Sequence, residues 1–308
     1  MILDNSRQIW RPWAAAAAAT IGLALGACGG GAETASHTTQ AAPDARLRVV
    51  VTFSTLAAIV KDVGGSFVDV TAMVPVGAAP ETFEPTPSDL VALSHADVVF
   101  ENGSGLETWM DKLLRSAGNG TTPVVLSGIS DPARAQNPHF WLDPREASTY
   151  AERAANALEL ADAGHAAGYR ANLAATKADY AALDRWIAAQ IATIPPDRRA
   201  MICFHDAWYY FDRRYGIRDV GAVEPSPGQE PSAGAFAQLI AAAKANNVRA
   251  VFAEPQFSPK LAKQLAEGAG IATVTDLYDD TLGTTAALST YDGMMRYDVA
   301  RIVEALKS

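Results

Sequence analysis

Residues 166–194 read AAGYRANLAATKADYAALDRWIAAQIATI, and Pro195-Pro196 follow at once. Tyr169, Leu173, Tyr180, Leu183, Ile187, Ile191 and Ile194 recur at steps of three, four or seven residues. That spacing puts them on one face of an α-helix, because a turn of about 3.6 residues brings such positions back into line. A break near Gly164 precedes the pattern. The proline pair ends it by removing backbone donors and crowding the preceding turn. At about 1.5 Å per residue the helix would span roughly 43 Å, the length of a small domain pair. What it joins is read from its two flanks.

Upstream, short apolar β-branched runs at Leu47–Phe53, Val68–Pro75, Val98–Glu101 and Pro123–Leu126 read as strands. Downstream, Ala200–Phe204, Asp219–Val223, Ala250–Phe252 and Ala272–Thr275 read the same way. Helical patterns separate them at Leu56–Val63, Ser88–Ser94, Leu106–Arg115, Ala233–Asn246 and Pro259–Gly268. Strand–helix alternation argues for parallel sheets covered by helices. Asp143-Pro144-Arg145-Glu146 carries a helix start signal: Asp143 can cap, Pro144 suits the first turn and Glu146 can complete a capping box. Met295, Val299, Ile302 and Leu306 share a face of a closing helix. The fold class is therefore α/β, two lobes with parallel sheets flanked by helices, bridged by one long rigid helix. The expected divisions are an N-terminal lobe over 46–163, the bridge over 164–196 and a C-terminal lobe over 197–308. No internal sequence repeat is visible.

The chain has 308 residues, 49% hydrophobic and 19% charged, with a net charge of −9, which fits a globular protein of about two domains. Without a basic stripe, an acidic chain is a poor nucleic-acid binder, since that affinity rests on Lys and Arg against phosphates. Cys28 and Cys203 are the only cysteines, which excludes a disulfide framework and any multi-cysteine metal cluster. Arg7 and Arg11 precede an apolar run from Ala14 to Ala27. It is too short to span a bilayer comfortably and fits a signal-peptide core over 1–27. Its end, Leu25-Gly26-Ala27-Cys28, looks like a bacterial lipobox, which would make Cys28 the lipidated first residue of the mature chain. Residues 28–45 lack large apolar side chains and read as a flexible tether, in which His37 has no expected role. No other run reaches membrane length.

In open α/β sheets, ligands bind beyond the carboxyl ends of the strands. Four polar segments fall there: PETFEPTPSDL (80–90), NPHFWLDP (137–144), CFHDAW (203–208) and LYDDTLG (277–283). Imidazole together with carboxylate suits a divalent first-row metal such as zinc, manganese or iron(II). Spacing alone does not prove that the four segments converge.

These segments, with ADVVFENGSGLETWMDKL (96–113), FHDAWYYFDRRYG (204–216), EPSPGQEPSA (224–233), FAEPQFSPKLAKQLAE (252–267) and YDGMMRYDV (291–299), resemble the solute-binding proteins of zinc and manganese ABC importers. The resemblance runs from about residue 47 to the end, in the family's order. It implies one divalent ion, Zn2+ or Mn2+, carried as cargo between the lobes on four protein ligands. By position these include His139, His205 and Asp280. The first ligand in this family is usually a histidine two residues before the aromatic of the FEP stretch, and here that position is Glu81. Three readings of Glu81 stand side by side: a carboxylate ligand, a site with fewer protein ligands plus water, and a degenerate site. More anionic oxygen favours manganese or iron(II), whereas intrinsic affinity on nitrogen and oxygen favours zinc over manganese.

Around these positions, Asp206 and Glu254 are expected to orient a histidine through its other ring nitrogen. Trp141 and Trp208 are expected to supply an apolar shell, and Glu84 to shape its turn. A one-residue shift would exchange Asp280 for Asp279. His95 and His165 are expected at the surface, and Cys203 as a buried inert thiol. Residues 115–137 contain no histidine, so the histidine-rich loop of some zinc receptors is not expected. The functional expectation is an extracytoplasmic receptor, a monomer anchored to the cell membrane through Cys28. It would bind no nucleic acid and would deliver metal to a permease and an ATPase on separate chains. The alternative is a metal-dependent hydrolase with an open coordination position.

Overall fold

The computed structural model describes residues 46–118, 122–129 and 137–308. The expected leader, the lipidation site Cys28, the tether and His37 lie outside these residues. In the first lobe β1 (Leu47–Val51), β2 (Val68–Ala72), β3 (Val98–Glu101) and β4 (Val124–Val125) pair in the order β2-β1-β3-β4, all parallel. In the second, β5 (Ala200–His205), β6 (Arg218–Glu224), β7 (Ala250–Phe252) and β8 (Ala272–Val274) pair in the order β6-β5-β7-β8, again parallel. The two lobes share one topology without sharing a sequence. In each, the chain turns from the first strand to one side and then crosses to the other. This leaves crevices outside the carboxyl ends of β1 and β3, and of β5 and β7.

Both faces of each sheet are covered. Along β5, Met201 and Cys203 enter the central core, while Ala200, Ile202 and Phe204 enter an outer one, as the two-residue period of a strand requires. The outer core of the second lobe is closed by α7 (Ala233–Ala245) and α8 (Lys260–Ala269). Val50 and Val99 likewise turn outward beneath α2 (Pro87–Ser94) and α3 (Met110–Ala117) of the first lobe. The central core is common to both lobes. It joins Phe53, Trp141 and Tyr150 of the first to Phe211, Tyr291 and Met295 of the second.

The long helix runs through that shared core. It is α5 (Ala166–Ala192), and it packs on α1 (Ser54–Gly64) and α4 (Pro144–Ala161) of one lobe and on α9 (Tyr291–Lys307) of the other. Tyr169, Tyr180, Leu183, Ile187, Ile191 and Ile194 are buried, and Leu173 is half-buried. Each buried aliphatic side chain stabilises the fold by about 1.5–3 kcal/mol. Polar clamps fix the helix to its neighbours. The Tyr180 hydroxyl donates to Asp62 Oδ2 at 2.7 Å, and Arg214 forks onto Asp184 at 2.6 and 2.5 Å. Gly168 has a packing reason: a Cβ there would lie 2.4 Å from the Phe67 ring.

Two local expectations are corrected. Asp143 caps α4 by accepting from Arg145 N at 2.9 Å, but Glu146 completes no box, because the Asp143 N–H already donates to Phe140 O at 3.0 Å. The helix expected from Leu106 begins at Met110. The preceding turn is held by left-handed residues at Gly103 and Ser104 and by Glu107, whose carboxylate accepts from Thr52 Oγ1, Asn102 N and Gly103 N. A short helix, α6 (Tyr209–Tyr215), was not foreseen, since its run of aromatics favours a strand by propensity.

Candidate metal centre

Each expected ligand comes from the carboxyl side of a sheet. Glu81 follows β2 in a turn whose Pro80 carbonyl accepts from Trp109 Nε1 at 2.8 Å. His139 follows β4 and opens the single helical turn Phe140–Leu142. His205 is the last residue of β5, and Asp280 lies beyond β8. A hydroxyl clamp holds the two carboxylate loops together. Thr281 Oγ1 accepts from Gly77 N at 2.8 Å, and Ser54 Oγ accepts from Leu282 N at 3.0 Å.

These elements bring Glu81, His139, His205 and Asp280 together, one donor atom of each lying within 4.8 Å of the others. His139 Nε2 stands 3.2 Å from His205 Nε2, 3.3 Å from Glu81 Oε1 and 3.4 Å from Asp280 Oδ1. His205 Nε2 stands 3.4 Å from Asp280 Oδ2 and 3.9 Å from Glu81 Oε1. Ligands at about 2.1 Å around a tetrahedral ion lie about 3.4 Å apart, so these edges suit one small cation at the centre.

Hydrogen bonding fixes which ring nitrogens face inward. Asn137 Oδ1 lies 2.9 Å from the His139 backbone nitrogen and 2.7 Å from His139 Nδ1. The backbone nitrogen can only donate, so the atom it meets is the amide oxygen, and Nδ1 must donate to that oxygen as well. His139 Nε2 is thereby turned towards the centre. On the other ring, His205 Nδ1 meets only carboxylates, Glu254 Oε1 at 3.4 Å and Asp279 Oδ2 at 3.6 Å, so its proton stays on that side. The centre therefore gathers the two imidazole Nε2 atoms, 3.2 Å apart, and the buried oxygens of Glu81 and Asp280, which have no hydrogen-bond partner. Acceptors crowded this way are costly unless a cation or protons stand among them.

The ionisation shifts favour protons in that place when no cation is bound. Burial, then the charges of Glu81 and Asp279, push Asp280 well above the usual carboxylate range. Burial works against a charged His205, yet Asp279, Glu254 and Asp280 outweigh it and hold the imidazolium to well above the usual histidine range. Burial raises Glu81 as well, but His139 Nε2, 3.3 Å away, and the His205 imidazole bring it below its ordinary value. Glu254 is pushed up to about 8, by burial first and Asp279 second.

The surrounding residues divide. Glu254 lies beside His205 as expected. Asp279 lies on that same outer side of the ring, not in the centre, and is held by Gln256 Nε2 at 3.1 Å and by the Asp280 backbone N–H at 2.7 Å. Asp206 does not join them. Its side chain is exposed, and its carbonyl, not its carboxylate, is engaged, accepting from Asn137 Nδ2 at 2.5 Å. A residue just past a strand end turns outward when its predecessor turns inward, which is why the expectation for Asp206 fails. Asn137 does the orienting instead. Its place two residues before His139, within NPHFWLDP, is the sequence signal for that role.

Trp141 is fully buried beside His139, with ring centroids 5.1 Å apart, and its Nε1 donates to Asp279 O at 2.8 Å. Trp208 is buried against Phe211. Glu84 and His95 are exposed, whereas His165 is half-buried, stacked on Phe67 and paired with Asp162. Cys203 is buried, and its thiol is pushed well above its ordinary pKa by burial and then by nearby carboxylates. The centre opens through Glu81, 17% exposed at its side chain, into a cavity of about 490 Å³ that reaches Thr82, Ser104, Thr108, Ser226 and Gln229.

Comparison with known proteins bears on the family and the fold. The family model described as zinc-uptake complex component A, periplasmic, matches residues 49–305. The manganese-binding lipoprotein MntA of Halalkalibacterium halodurans is 30% identical over 289 residues, covering 92% of this chain and 95% of the relative. The iron-binding protein YfeA of Yersinia pestis is 29% identical over 267 residues, covering 84% and 86%. In fold, the chain matches the periplasmic zinc binding protein TroA from Treponema pallidum with a TM-score of 0.78 at 23% identity, over 86% of this chain and all of that one. The chain belongs to the zinc-uptake complex component A family, the metal-binding receptors of ABC importers.

Proposed function

We propose that this chain captures one divalent transition-metal ion, zinc or manganese, on Glu81, His139, His205 and Asp280, and delivers it to the permease and ATPase of an importer. The observation that carries this reading is the buried convergence of two imidazoles and two carboxylates, with edges of 3.2–3.9 Å and carboxylate oxygens that lack a hydrogen-bond partner. Glu81 and His139 belong to one lobe and His205 and Asp280 to the other. Separating the lobes would halve the coordination, and that gives a route to release at the transporter. The expected lipid on Cys28 would keep the receptor at the membrane where its permease lies.

The relatives are named for manganese, iron and zinc, so this scaffold accommodates several ions. In this chain Asp280 turns Oδ1 towards one imidazole and Oδ2 towards the other. Both oxygens could then reach one ion, which raises the coordination number towards that of manganese. The nitrogen pair pulls towards zinc. Four protein ligands leave no open position of the kind a catalytic metal needs, and the hydrolase alternative finds no support in relatives named as binding proteins.

The test is to strip the soluble domain with chelator and titrate it with zinc and manganese in competition, reading bound metal by mass spectrometry. One equivalent of metal, lost in His139→Ala, is expected. Failure of both ions to bind near stoichiometry would refute the four-ligand centre.

A further inference from the structure

We infer that Asn137 is a positioning residue that clasps the two histidine segments together, so that His139 and His205 are presented to the ion as one unit. This rests on the metal-receptor reading above. The amide has two ends and uses them on different lobes. Its oxygen accepts from the backbone and ring of His139 at 2.9 and 2.7 Å, while its nitrogen donates 2.5 Å to the carbonyl of Asp206, the residue that follows His205. The orientation of the amide is not free. A backbone N–H can only donate and a carbonyl can only accept, so each end has one possible partner. Asn137 is buried, and its own carbonyl accepts from Tyr210 of the second lobe at 3.0 Å. Phe140 stacks on that same Tyr210, with centroids 4.3 Å apart. Tyr210 thus gives the 137–140 segment a hold on the second lobe that does not depend on the Asn137 side chain.

Both halves of the clasp can be separated by substitution. Asn137→Asp keeps an oxygen for His139 but cannot donate, when ionised, to the Asp206 carbonyl. Asn137→Ala loses both contacts. The charge added by Asp would by itself attract a cation, so looser binding in that variant would have to come from the lost clasp.

The measurement uses Zn2+-loaded and Mn2+-loaded protein mixed with excess chelator, with release followed in time, alongside melting of the metal-free and metal-loaded forms. Both variants are expected to release metal about 10–100-fold faster than wild type, the range typical of residues that orient a metal ligand. Their metal-free melting temperatures should stay near wild type, while the rise in melting temperature on metal addition should shrink. A merely structural residue would do the reverse, lowering the metal-free temperature and leaving the rise intact. Wild-type release by Asn137→Asp would overturn the clasp while leaving the receptor reading standing. Failure of the wild-type chain to bind either ion would overturn the receptor reading, and the clasp with it.

Discussion

Metal affinity should keep rising with pH above 7, beyond the point where an ordinary histidine has finished titrating. In the metal-free centre His205 and Asp280 both hold protons well above their usual ranges. An ion that takes His205 Nε2 and an Asp280 oxygen must displace them. Each proton displaced makes affinity change about tenfold per pH unit. One proton gives a slope of about one in a plot of log affinity against pH, and two give a slope of about two. The window follows from the direction of the shifts. It opens near the ordinary histidine value of about 6.5 and extends upward, because the neighbouring carboxylates hold the imidazolium past that value.

The same protons act on the stability of the metal-free fold with a definite sign. A raised histidine contributes stability that is complete below its unfolded pKa and lost as pH climbs through its folded one. Asp280 has the sign opposite to a salt-bridged aspartate. Its neutral form is favoured in the fold, so stability falls as pH rises above its unfolded value of 3.8. The metal-free protein should therefore melt lower as pH rises from about 6 to 8.5, while the stabilisation given by bound metal grows. Chelator competition corrected for the chelator's own titration gives the slope. Calorimetry in buffers of different ionisation enthalpy counts the protons directly. A slope that vanishes above pH 7 would refute the reasoning, since it would mean that no proton above the ordinary histidine range stands in the ion's place.

Other substitutions test the centre and its frame. Glu81→His trades a carboxylate for a third imidazole and should move the zinc-to-manganese preference towards zinc by about tenfold or more; an unchanged ratio in the competition assay would remove Glu81 from the coordination sphere. Glu254→Gln keeps a polar group beside His205 Nδ1 but removes its charge, and metal should dissociate about 10–100-fold more readily. Unaltered affinity there would leave Asp279 as the sole orienting group. Gly168→Ala should destabilise the fold by about 1–3 kcal/mol in denaturant titration through its clash with Phe67. Helix propensity alone would instead stabilise by about 1 kcal/mol, so the sign of the change decides between packing and propensity.

The fold was legible because its signals are periodic. Leu183, Ile187 and Ile191 recur with the helical turn, and Ala200–Phe204 forms a continuous apolar run, as a strand covered on both faces must. The central placement of the helix was not legible. One apolar stripe looks the same whether it faces one lobe or the seam between two, and only the shared core with Trp141 and Tyr291 shows which. In the site, residue chemistry singled out the four segments, and the resemblance supplied His139, His205 and Asp280 within them. What sequence could not yield was the side of each ring. Asp206 adjoins His205 in the chain and turns away, while Asn137, far off in sequence, meets it through the Asp206 carbonyl. Adjacency along the chain predicts orientation poorly where a strand ends, because one more residue reverses the side chain's direction.

Glu81 stands where the resemblance leads one to expect a histidine, and its location suits a carboxylate. Of the four side chains it alone is partly exposed, at 17%, and it borders the mouth of the cavity. A carboxylate is cheaper to desolvate there than beside Asp280, which is fully buried. The imidazoles also hold Glu81 ionised, since its pKa falls below the ordinary value while that of Asp280 rises. The two carboxylates of the centre are thus unequal, that of Glu81 lowered near the mouth and that of Asp280 raised inside. A carboxylate at Glu81 would therefore place negative charge at the mouth, where it would attract a cation.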